Sequence, residues 1–155
     1  MDPSPPGQPV DLDSWRLGVW RRFLTAHARI NRELERELEA GAGLPLAWYD
    51  VLLQLAEAPD RRLRMADLAD AVLLSRSGLT RLVDRLEQAG LVRRERSADD
   101  LRGTFTVLTA AGVHRLRETV PLHLSGIRAH FLDRLDDDRL RELDAVLACL
   151  IGPAD

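Results

Sequence analysis

Between residues 74 and 109 the chain changes its hydrophobic period from helical to alternating, and few folds accommodate that change. Leu79, Leu82, Val83 and Leu86 recur at i, i+3, i+4 and i+7, which at roughly 100° per residue gathers them into one apolar stripe on a helix. Ser75 stands where a hydroxyl accepts from the unpaired amides of a first helical turn, and Gly90 where a left-handed residue ends the helix. Leu91 to Arg96 then alternate apolar and basic residues, Ser97 to Gly103 form a short polar turn, and Thr104 to Thr109 return as a β-branched and aromatic strand with Phe105 and Val107 on one side. The order predicts an amphipathic helix running into a β-hairpin whose tip carries Asp100, Arg102 and Gly103.

The stripe must face a core, so the other side of the helix faces outward. It carries Ser77, Arg81, Asp84 and Gln88, flanked by Arg76, Thr80 and Arg85. Guanidinium forks and short hydroxyls suit phosphates and base edges. A solvated face neutralised by Asp84, Glu87 and Glu95 is the other reading of the same residues. Charge distribution bears on the choice. The chain is net −3, yet Arg61 to Arg102 holds ten arginines against seven acids, so the middle is basic and the ends acidic. That is the pattern of a chain in which only the middle meets phosphate. All 22 basic residues are arginine, which coding bias explains as well as bidentate recognition does.

In this order the motifs resemble the MarR family of winged helix-turn-helix transcription regulators. The Asp-x-Arg-Gly at Asp100 to Gly103 is similar to that family's wing signature, the Leu-Thr-x-x-Gly at Leu108 to Gly112 to the segment that follows it, and the resemblance extends over roughly residues 14 to 150. It implies a homodimer built from the terminal helices, each subunit presenting one helix to a major groove and one wing to a minor groove. It also implies a small aromatic or phenolic effector between the dimer helices and the winged module, in a region lined by Trp20, Phe23, His27, Trp48 and His123.

The function expected from the residues and the resemblance together is a sequence-specific regulator of transcription, a homodimeric repressor on an inverted-repeat operator in double-stranded DNA. Ser77, Thr80 and Arg81 are expected at base edges and Ser75, Arg76 and Arg85 at phosphates. Arg102 is expected at the wing tip in a narrow minor groove, with Asp100 orienting it and Gly103 permitting the turn. Arg94 is expected to add a contact from the wing, although Arg93, Arg94 and Arg96 also have acidic neighbours to pair with. The alternative is a winged helix that binds another protein and leaves DNA alone; it predicts apolar residues where Ser77, Thr80 and Arg81 stand.

The rest of the chain fits a mainly α fold with a small β-hairpin wing, the winged module at 44–108 lying between dimerisation helices at 13–40 and 109–151. Residues 1–12 are expected to be a disordered lead-in, with four prolines in the first nine positions. Asp13 or Ser14 can cap a first helix on which Leu17, Trp20, Leu24, His27, Asn31, Leu34 and Leu38 make a heptad-like seam, widened by Val19, Phe23, Ala26 and Ile30. Gly41 to Gly43 should break it, Pro45 open a second helix through Trp48, Val51, Leu52 and Leu55, and Pro59 end that one. Arg61 to Leu63 reads as extended and Met65 to Val72 as a short helix. After the wing, Thr109 caps a helix with Val113, Leu116, Val120, Leu124, Ile127, Phe131 and Leu135 on one side and a bend at Pro121. Asp136 to Asp138 start a last helix whose apolar side is Leu140, Leu143, Val146, Leu147 and Leu150.

An apolar content of 45% is enough for a core. No apolar run approaches the roughly 18 residues of a membrane span, and no basic segment followed by an apolar stretch opens the chain, so a cytoplasmic protein is expected. Cys149 is expected to be a buried small apolar side chain. The four histidines form no metal-binding pattern, and no nucleophile elbow, phosphate loop or zinc-protease motif occurs. Neither a cofactor nor an enzymatic activity is expected.

Overall fold

The computed structural model describes residues 15–72, 75–96 and 103–152. In chain order the elements are α1 (Trp15–Ala42), α2 (Leu46–Glu57), a 3₁₀ turn (Pro59–Arg61), β1 (Arg62–Arg64), α3 (Met65–Ala71), α4 (Arg76–Gln88), β2 (Val92–Arg96), β3 (Thr104–Leu108), α5 (Ala110–His130), a second 3₁₀ turn (Leu132–Arg134) and α6 (Asp137–Ile151). The antiparallel sheet has the order β1-β3-β2. This is a mostly helical fold with a small sheet, as the sequence predicts. The lead-in, Asp13, Ser14, Asp100 and Arg102 lie outside the described residues.

The core sits where α2, α3 and α4 meet beneath the sheet. Val51, Leu52, Leu55, Leu68, Leu79, Val83 and Leu86 are fully buried, closed in by Leu38, Leu44 and Val92. Burying a leucine of this kind stabilises the fold by about 1.5–3 kcal/mol. The helical stripe of α4 is therefore what seats it, and its polar side is left outward. Register fixes the sheet likewise. Leu63, Thr106 and Arg94 lie in one row and Arg62, Val107 and Arg93 in the next, so neighbouring rows point to opposite faces.

Several local details depart from the sequence expectation, each for a packing reason. α1 runs through Gly41 and stops at Gly43, whose φ of 58° lies in the left-handed region. Gly41 stays helical because α5 crosses there: a Cβ at Gly41 would lie 2.7 Å from Cδ2 of Leu122. The first amide of α2 is satisfied from α1, Leu46 N donating to Glu35 Oε2 at 2.7 Å. The extended stretch after Pro59 is a strand, β1, one residue later than expected and paired to β3.

α5 turns inward a face rotated from the centre of its expected apolar stripe: Val113 and Val120 pack against the core at its edge. Leu116 is buried, but so are Gly112, Thr119 and Gly126, whereas Leu124 is exposed. Small residues let α1 approach: a Cβ at Gly126 would come within 2.8 Å of Leu34 and of Glu37. The helix ends at His130, so Phe131 and Leu135 lie beyond it. His130 Nε2 meets Glu37 Oε1 at 2.8 Å, a further tie between the two long helices.

Large apolar surfaces remain uncovered at the two ends of the chain. On α1 only Leu34 and Leu38 of the expected seam are buried, while Trp15, Val19, Trp20, Phe23 and Leu24 are exposed. α6 buries nothing, although Asp136 caps it by accepting from Arg139 N at 2.9 Å. Val146 is 56% exposed and Leu150 74% exposed. Cys149, expected inside, is exposed: the half-buried side of α6 carries Leu140, Leu143 and Leu147, and Cys149 lies off it. No helix among the described residues is long and apolar enough to cross a membrane.

Candidate nucleic-acid interface

α4 begins as its sequence dictates. The Ser75 hydroxyl accepts from Gly78 N at 3.1 Å, and the chain leaves the helix through Gly90 at φ 73°. Ser75, Arg76, Ser77, Thr80, Arg81 and Arg85 all lie exposed. Thr80 donates its hydroxyl proton to Arg76 O at 2.9 Å, which leaves its oxygen lone pairs outward. Arg76 and Thr80 also line a cleft of about 300 Å³ against Met65 and Ala66 of α3. The structure therefore brings these six side chains onto one continuous surface.

Among the described residues their charge has no acidic partner, because the nearby acids are engaged elsewhere. Arg94, on β2, sets one guanidinium nitrogen on Asp84 Oδ1 and another on Glu87 Oε2, each at 2.6 Å. Its main-chain N also donates to Glu87 Oε1 at 2.8 Å. Burial disfavours the charge on this guanidinium, but the hydrogen bonds to Asp84 and Glu87 outweigh it and hold its pKa above the ordinary value. Glu95 is taken by Arg93. Among the described residues no acid pairs with Arg76, Arg81 or Arg85, so three cations project from one side of α4.

Arg94 thus differs from expectation: its donors point at α4 and away from the outer surface. The signal was present in the sequence as two acids three residues apart on a helix, followed by an Arg-rich strand. What the sequence lacks is the fold of β2 back over α4 that brings them into contact. No periodic signal in the sequence marks Arg62 or Arg64. Their guanidinium carbons lie 4.9 and 5.0 Å from the centroid of the Phe105 ring, on the sheet face opposite Arg94.

The base of the hairpin is tied to α5 by the Leu-Thr-x-x-Gly segment. Leu108 is buried, and the Thr109 hydroxyl accepts from Gly112 N at 3.0 Å while donating toward Gly90 O and Leu91 O at 2.7 and 3.0 Å. A Cβ at Gly112 would lie 2.1 Å from Leu91 O, so only glycine fits. Gly103 immediately precedes β3, next to the undescribed tip.

The five side chains expected around an effector separate into two sets. Trp20, Phe23 and His27 form an exposed ladder of rings on α1, with centroids 5.9 and 6.5 Å apart. Trp48 and His123 lie on the α2 and α5 side, where the His123 ring meets Tyr49 at 4.2 Å. Burial pushes the His123 imidazole below its ordinary pKa, and its buried Nδ1 has no hydrogen-bond partner among the described residues.

Comparison with known proteins places this geometry among solved relatives. A family model described as MarR family matches residues 42–103. YetL of Bacillus subtilis (strain 168), an HTH-type transcriptional repressor, is 28% identical over 130 residues, covering 84% of this chain and 77% of that protein. Sco3205 of Streptomyces coelicolor, a MarR family transcriptional regulator solved in complex with DNA, matches with a TM-score of 0.85 at 37% identity, over 95% of this chain and 94% of its own. AbsC of the same organism, another MarR family regulator, matches with a TM-score of 0.81 at 36% identity, over 94% and 96%.

Proposed function

The chain belongs to the MarR family, and from that membership we propose that it acts as a homodimeric transcriptional repressor that reads an inverted-repeat operator with one α4 per protomer in the major groove. One observation carries the reading: Arg76, Arg81 and Arg85 stand exposed, with no acidic partner among the described residues, beside the Ser77 and Thr80 hydroxyls, on a helix seated by the buried side chains of Leu79, Val83 and Leu86. Arg81, midway along the outer side, has the reach for a base edge, and Arg76 and Arg85 flank it as phosphate contacts. The DNA complex of Sco3205, 37% identical, supports the same use of the fold, and the repressor activity in the name of YetL supports repression.

The uncovered apolar surfaces support the dimer. The first half of α1 exposes Trp20 and Phe23 and α6 exposes Val146 and Leu150, and a second copy of the chain has matching surfaces to cover them. Two modules related by a two-fold axis then face half-sites about 10 base pairs apart.

Arg81→Ala is expected to weaken binding to a duplex selected by the wild-type chain from a random-sequence library by about 1–3 kcal/mol and to relax its sequence preference. Arg76→Ala and Arg85→Ala should instead weaken all duplexes alike, each lowering the slope of log affinity against log salt by about 0.9. Fluorescence anisotropy across a salt series reads both quantities. Unchanged affinity and specificity for Arg81→Ala would remove α4 as the reading helix.

A further inference from the structure

Resting on the reading that α4 faces DNA, we propose that Arg94 is a positioning residue for operator binding: by holding Asp84 and Glu87 beneath β2, it keeps Arg81 free to meet the duplex. Asp84 lies three residues beyond Arg81 on the same helix, a spacing at which opposite charges normally pair. In the structure Asp84 is instead bonded to Arg94, at 2.6 Å. Glu87 takes both a guanidinium nitrogen and the main-chain N of Arg94, so the fork spans two carboxylates one helical turn apart. The Arg94 side chain is only 28% exposed, less than either partner. Its donors are used within the protomer.

Removing the guanidinium leaves two carboxylates on a helix that approaches polyphosphate. Asp84 then has Arg81 as its nearest cation along the helix, and pairing between them withdraws the base-reading side chain. The effect on DNA is therefore larger than the loss of one cation, and it depends on Asp84. A phosphate contact by Arg94 itself would not.

The test uses the full chain and the duplex that the wild-type protein enriches from a random-sequence library. Arg94→Gln should bind that duplex about tenfold more weakly at about 100 mM salt, with the deficit shrinking as salt rises. Asp84→Asn alone should stay near wild type. Asp84→Asn in the Arg94→Gln background should restore affinity to within about twofold, a non-additive cycle. Additive effects would overturn the proposal in favour of a direct DNA contact. A lowered Tm with unchanged affinity of the folded protein would overturn it in favour of a purely architectural role. If Arg94→Gln does not fold, Arg94→Lys replaces it. A single ammonium cannot span both carboxylates, so about a threefold loss relieved by Asp84→Asn is expected, and a loss that Asp84→Asn does not relieve contradicts the role. Failure of the underlying reading looks different: the wild-type chain would bind no duplex better than random sequence, which overturns both.

Discussion

Gly112→Ala is expected to destabilise the fold by about 3 kcal/mol and to lower Tm by roughly 10 °C. An alanine in an exposed helix ordinarily gains about 1 kcal/mol over glycine, so the sign of the change is itself diagnostic. The new methyl would lie 2.1 Å from Leu91 O and 2.6 Å from Cδ1 of Leu108. The carbonyl cannot rotate aside, because Thr109 already donates to it from its main-chain N at 3.1 Å and its hydroxyl at 3.0 Å. Relief requires α5 to lift away from the entry to β2, and that lift breaks the Thr109 cap. Urea unfolding followed by circular dichroism measures the loss. A neutral or stabilising alanine would mean that α5 and the hairpin base are not in this contact.

The second large effect concerns the uncovered helices. Val146→Asp combined with Leu150→Asp should yield monomers and lower operator affinity by about 100-fold or more, because a linked second module converts its own binding into an intramolecular step. Both side chains are exposed in the protomer and bury nothing there, so helicity and the unfolding of the winged module should change little. Sedimentation velocity and anisotropy on the same samples separate the two readouts. A variant that stays dimeric, or a monomer that binds as tightly as wild type, would remove α6 from the interface.

What the sequence made legible is local. The Ser75 cap, the α4 stripe, the Gly90 stop, the Thr109 cap and the acidic start of α6 each depend on residues within about one turn, and all are found as expected. The polar side of α4 followed from the same periodicity. Non-local partners were hidden. Glu35 reaches eleven residues to the start of α2, Arg94 ten residues back to Asp84, and β1 pairs with a strand more than forty residues away. None of these leaves a periodic trace in the sequence.

α5 shows a different limit: its apolar spacing marked Val113, Leu116 and Val120, which do meet the core, but not the small residues at the centre of the buried face. Val120 and Leu124 lie on the expected stripe, yet Leu124 is exposed while Thr119 and Gly126 are buried. Close helix crossing selects small side chains, and Thr119 satisfies its hydroxyl by donating to Arg115 O at 2.8 Å. A scale that rewards large apolar residues cannot see that arrangement. The first and last helices are the converse case: their apolar patterns are clear in the sequence, and much of that apolar surface stays exposed in the protomer.

Dimethyl sulfate protection of the selected duplex bears most directly on the claim that a pair of α4 helices reads DNA, since the reagent modifies guanine N7 in the major groove. Two protected clusters related by dyad symmetry and centred about 10 base pairs apart are expected, both lost with Arg81→Ala. A single cluster, or protection that Arg81→Ala leaves intact, would contradict it.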